Sequence, residues 1–115
     1  MDKVKLAYIC SPYRSYGSAS VDDNVGRANR YSRFAALSGY IPICVHTTFT
    51  QFLDDNIDEE REAGLWMGRQ LLNLCDEMWV FGSYISEGMK SEIKAAKQRG
   101  MMIRRFNTSC EEVFE

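Results

Sequence analysis

The chain has 115 residues, 45% of them hydrophobic and 26% charged, which is the balance of one packed domain and not of a disordered chain. A formal net charge of −2 leaves no basic surplus for a nucleic-acid polymer. No apolar run approaches bilayer-spanning length and the opening MDKVKLAYICSPY is too polar for a signal peptide, so the expectation is a cytoplasmic protein with no membrane partner.

The run KVKLAYIC, Lys3 to Cys10, reads as a buried strand that ends at SPY. After a Ser-, Gly- and Asp-rich loop, Val21, Val25, Ala28, Ser32, Ala35 and Ala36 recur at helical steps, predicting an amphipathic helix over Val21 to Leu37 with Gly39 as its stop. YIPICV, Tyr40 to Val45, reads as a second buried strand with Pro42 near its start. The connection HTTFTQFLDDNIDEE has room for a short helical turn, and its acidic residues precede a helix REAGLWMGRQLLNLC whose expected inner face is Leu65, Gly68, Leu72 and Cys75. EMWVFG is a third strand closed by Gly82; Ser86 then caps a helix running to Arg99, Gly100 ends it, and MMIRRF is the last strand.

Strands alternating with helices imply an α/β fold: a small doubly wound, three-layer sandwich around a parallel sheet of four or five strands. One domain over 1–115 is expected, with a tail from about 107. Cys10, Cys44, Cys75 and Cys110 form no CxxC pair, and no His or acidic cluster has metal-ligand spacing, so no metal and no cofactor is expected. Buried, reduced thiols are the reading for the first three.

Ligands of such sheets bind beyond the carboxyl ends of the strands. That selects Ser11, Pro12, Tyr13 and Arg14 after the first strand, His46 after the second, and the loop from Ser83 to Gly88 after the third. Neither a GxGxxG fingerprint nor a Walker A loop is present, which argues against dinucleotide binding or ATP hydrolysis by those devices. With Ser86 as cap, the N–H groups of Glu87, Gly88 and Met89 offer an anion site. Glu92, one turn further, lies beside Ile93; from the residues alone it serves either the helix macrodipole or the cleft. His46 is open in the same way, between a strand-end structural role and ligand contact.

The succession AYICSPYR, NVGRANRYSRFAALSGY, IPICVH, LLNLCDEMWVFG and SEGMKSEIKAAKQRG resembles the nucleoside 2-deoxyribosyltransferase-like superfamily, and more closely its small bacterial and phage members of the DUF4406-like set. The resemblance runs from about Lys5 to Phe106. It implies cleavage or transfer at the N-glycosidic bond of a nucleoside or nucleotide, with Glu92 as nucleophile, Tyr8 as its hydrogen-bonding orienter and Gly88 as the glycine of the ligand turn. Relatives commonly complete their sites across a dimer, so a homodimer or higher homo-oligomer is implied too.

Two departures qualify the chemistry. Ser86 stands where the transferases carry an Asp, and WMGRQ, with Gly68 or Arg69, stands where a base-protonating Asp is expected. A serine and helix N–H groups suit a phosphate, with Arg14 as a candidate partner, which favours a 5'-monophosphate over a bare nucleoside. The rival reading is a module that senses or sequesters a nucleotide or nucleotide-derived signal without cleaving it.

Overall fold

The computed structural model describes residues 3–114. Four parallel strands, β1 (Leu6–Cys10), β2 (Ile41–Ile43), β3 (Glu77–Phe81) and β4 (Met102–Phe106), form one sheet in the order β2-β1-β3-β4. The chain leaves β1 towards one edge and crosses back to β3, so the switch point lies between the ends of β1 and β3, where Ile9 pairs Trp79 and Cys10 pairs Val80.

Four helices, α1 (Val21–Leu37), α2 (Val45–Thr48), α3 (Asp58–Leu74) and α4 (Glu87–Arg99), complete the α/β fold. Because alternate strand residues face opposite ways, β1 and β3 supply two cores. Ala7, Ile9, Trp79 and Phe81 pack against Ala28, Tyr31 and Ala35 of α1. Tyr8, Cys10, Met78 and Val80 pack on the other side against Val45 of α2, Leu72 of α3, and Met89, Ile93 and Ala96 of α4. The result is the expected three-layer sandwich, with four strands.

The bounds of α1 are those predicted, but its inner face is Asn24, Ala28, Tyr31 and Ala35, while Val21 and Ala36 are exposed. Asn24 is buried because its Nδ2 donates to the carbonyls of Tyr13 (3.1 Å) and Arg14 (2.9 Å), tying down the loop after β1. Tyr31 stacks on Phe81 at 4.2 Å. A capping box between Ser20 and Asp23 starts this helix.

The second strand is shorter than predicted and lies at the sheet edge, not in its interior: it ends at Ile43, and Val45 opens α2. Thr47 and Thr48 hydroxyls donate to the Cys44 carbonyl at 3.2 and 3.0 Å, which draws the chain out of the strand. In α3 Gly68 and Leu72 face inward as predicted, but Leu65 is 60% exposed and Trp66 66%. Asp58, Glu59 and Glu60 form its first turn instead of preceding it.

The expected tail is folded back on β4. Val113 N–H donates to the Arg105 carbonyl, Glu112 forms a bridge with Phe106, and Arg104 grips Glu112 through two hydrogen bonds of 3.0 and 2.8 Å. This contact covers part of the outer edge of the sheet. Among the described residues, no helix is long and apolar enough to cross a membrane.

Candidate active site

Glu92 sits in the second turn of α4, a helix started by Ser86, whose Oγ accepts from the Met89 N–H at 3.2 Å, and stopped by Gly100 in the left-handed conformation. Its buried neighbours Met89, Ile93 and Ala96 fix which way the helix faces. This turns the half-buried Glu92 towards the sheet. There the Tyr8 hydroxyl donates to Oε2 and the Cys10 thiol to Oε1, at 3.7 Å for the sulfur. Tyr8 and Cys10 are two apart on β1 and so share one face of the strand.

Burial raises the Glu92 carboxyl to a pKa of about 7; the two hydrogen bonds and the charge of Arg69 act in the opposite direction. Burial, reinforced by the neighbouring carboxylate, lifts the Tyr8 phenol well above its usual range, so it stays a donor. No ion pair within 4 Å neutralises Glu92 among the described residues.

A cavity of about 200 Å³ opens over this carboxylate, lined by Tyr8, His46, Arg61, Gly68, Arg69, Gly88 and Glu92 among others. It continues past Thr50, Leu53, Asp55 and Glu60, which also line a wider cleft of about 620 Å³ bordered by Tyr13 and Arg14. Gly68 adds no side chain to the floor, where a Cβ would make ordinary contacts of 3.7 Å with the Tyr8 hydroxyl oxygen and Val45 Cγ1. Arg69 Nη2 reaches Ser91 Oγ at 3.4 Å across the α3–α4 gap.

The other residues singled out by sequence divide by location. His46 lines the Glu92 cavity and stacks on Tyr13 at 5.3 Å; burial lowers its pKa and the charge of Asp55 partly opposes this. Gly88 also lines the cavity. Arg14 is occupied by Asp55, with Nη2 2.8 Å from Oδ2. The Met89 side chain is in the core and its N–H is taken by Ser86, while the Glu87 side chain is 91% exposed and pairs with Lys90. Ser11 and Pro12 line a separate cavity beside α1.

Sequence reasoning assigns Cys10 only to the core and leaves Gly68, Arg69 and Ser91 outside the site residues. For Cys10 the signal is present, since a strand residue two beyond Tyr8 shares its face. For the α3 residues it is weak, because which side of α3 meets α4 is set by packing.

The chain belongs to the family described as a domain of unknown function, DUF7768, whose profile matches residues 5–106. No curated protein matches this DUF7768 member in sequence. Among solved structures, a 2-deoxyribosyltransferase from the psychrotolerant bacterium Bacillus psychrosaccharolyticus superposes with a TM-score of 0.72 at 12% identity, over 96% of this chain and 77% of that one. At that identity the likeness establishes a shared fold.

Proposed function

We propose that this protein acts on the N-glycosidic bond of a nucleoside or nucleotide, by hydrolysis or by 2-deoxyribosyl transfer, with Glu92 as nucleophile and Tyr8 as its orienting donor. One observation carries the reading: an unpaired glutamate, held by Tyr8 and Cys10, faces a cavity at the carboxyl end of β1. An oxocarbenium-like centre beside that carboxylate is stabilised by it or trapped as a covalent glycosyl ester. The fold likeness to a 2-deoxyribosyltransferase supports the same choice.

The cavity is smaller than the roughly 300–1,000 Å³ usual for a drug-sized ligand, so it takes the sugar, and the rest of the substrate extends past Asp55 into the wider cleft. Arg61 and Arg69 line the Glu92 cavity and Arg14 already holds Asp55, so we place a 5'-phosphate near the α3 arginines and not at Arg14. The exposed Leu65, which lines the cavity, and its sequence neighbour Trp66 suit a homodimer or higher assembly.

The rival reading is binding without cleavage. What favours it is that the other carboxylates of the cavity are engaged, Asp55 by Arg14 and Glu60 by the Asp54 N–H at 3.0 Å, while Gly68 supplies no acid. Incubation with a panel of deoxynucleosides and nucleoside 5'-monophosphates, following free base by chromatography with Glu92→Ala alongside, separates the two. Release that disappears in the variant is expected; recovery of every substrate intact, with nucleotide bound, would replace the enzyme by the sensor.

A further inference from the structure

The sheet carries a second cavity, of about 180 Å³, at the ends of β1 and β3 on the side packed by α1. It shares no lining residue with the Glu92 cavity. Its lining holds one cation, Arg27, no acidic residue, and the hydroxyls of Ser11, Ser83 and Thr108.

Ser11 directly follows β1 and is only 2% exposed; its hydroxyl makes no hydrogen bond to another described residue, and it borders the cavity. Among the described residues no fully buried side-chain polar atom is left without a partner, so the Ser11 hydroxyl is reached from the cavity and is available to a group held there. Arg27 is likewise without an ion pair among the described residues. The nearest acid on its own helix, Asp23, is committed to the Ser20 N–H in the capping box.

Several contacts frame the cavity. Asn24, one turn before Arg27, anchors the β1 loop through two carbonyls. Gly82 turns the chain out of β3 at φ +86, which a residue with a side chain adopts only under strain. Tyr16 and Tyr84 stack face to face at 3.8 Å and clasp the loops after β1 and β3. The stacked Tyr31 and Phe81 line the apolar side, where a low dielectric strengthens any charge pairing with Arg27.

We infer that this cavity is a binding site for a small oxyanion of the phosphate type, held by Arg27 and by the hydroxyls of Ser11, Ser83 and Thr108. A guanidinium and hydroxyl-bearing residues around a cavity whose lining holds no carboxylate match such a group, whether free or carried as a phosphomonoester. The cavity has no room for a nucleotide, and the inference does not depend on the chemistry proposed for Glu92.

Calorimetric titration of the full chain with inorganic phosphate, sulfate and ribose 5-phosphate tests it, alongside Arg27→Gln, Ser11→Ala and, at the other cavity, Arg69→Gln. Inorganic phosphate is expected to bind the wild type at the α1-side cavity, about tenfold or more weakly in Arg27→Gln and measurably more weakly in Ser11→Ala, while Arg69→Gln removes only whatever phosphate the Glu92 cavity holds and keeps the Arg27-dependent site. Tighter binding of ribose 5-phosphate assigns the anion to an ester; binding of inorganic phosphate alone assigns it to the free ion. Ser11→Ala removes a single oxygen and carries the test if Arg27→Gln folds poorly. No binding of any of the three anions, or binding lost in Arg69→Gln and kept in Arg27→Gln, overturns the assignment.

Discussion

Two glutamates lie against opposite faces of the same sheet, and their surroundings differ in one respect. Glu77, on the α1 side, is saturated: it accepts from Trp79 Nε1 at 2.9 Å and from the Tyr40 hydroxyl at 3.0 Å, with Arg104 at 3.5 Å. Arg104 in turn lies over the Trp79 ring at 4.8 Å and binds Glu112. Glu92, on the α3–α4 side, has two neutral donors, no ion pair and an open cavity before it. A carboxylate whose capacity is used up by the protein holds structure together. One left short of partners at the mouth of a cavity has capacity for something else, and its raised pKa records the same shortage.

The widest separation of the two should come from Glu92→Ala. Base release is expected to fall on the order of a thousandfold or more with little loss of fold, as activity assays beside circular dichroism would register. Glu77→Ala should do the reverse. It strands the Trp79 and Tyr40 donors and the Arg104 charge, and denaturant unfolding should show a loss of about 3 kcal/mol.

A pH series sharpens the contrast without any substrate. The folded Glu92 carboxyl titrates at about 7, against an ordinary value of 4.5 for the unfolded chain, so between those values the folded state holds the extra proton. Its contribution to stability is therefore full below about 4.5 and is lost as the pH rises to 7. Glu92→Gln has no such loss and should be more stable than the wild type by about 3 kcal/mol at pH 8, with the difference vanishing in acid. Equal unfolding midpoints at pH 8 would mean that Glu92 is solvated after all.

Tyr8→Phe removes a donor to the ionised form, so the Glu92 titration followed by carbon NMR should move above its wild-type value. If the carboxyl acts as nucleophile, the rise of activity with pH moves up with it. The smallest effect belongs to Ser86→Ala, which takes the cap from Met89 N–H and should cost about 1 kcal/mol.

Much of the fold is legible in the sequence because it rests on local rules. The bounds of α1, the Ser86 cap, the left-handed Gly100 and the four strands follow from capping residues and apolar periodicity. The departures at Asn24 and in the tail share one cause, which is that a distant partner overrides the local pattern, whereas at Val45 local side-chain bonds override the apolar run. Val45 reads as strand because it is apolar and β-branched, but edge position and the threonine hydroxyls make it helical. Asn24 falls outside the apolar pattern that predicts α1, and its side chain is buried by two hydrogen bonds to carbonyls about ten residues earlier in the chain. The tail reads as free because the partner of Glu112 is an arginine on a strand, which no periodicity announces.

The site shows the same division. Strand alternation alone puts Tyr8 and Cys10 on one face, and a helix started at Ser86 puts Glu92 one turn inside, so the pieces of the Glu92 cluster are already ordered along the chain. Which face α4 turns to the sheet, that Arg14 is spent on Asp55, and that Ser11 and Pro12 open on the α1 side while Tyr8 opens on the other were decided only in three dimensions. Local hydrogen bonds and side-chain period act within a few residues, whereas contacts such as Tyr8 with Glu92, 84 positions apart, exist only once burial has fixed how the layers stack.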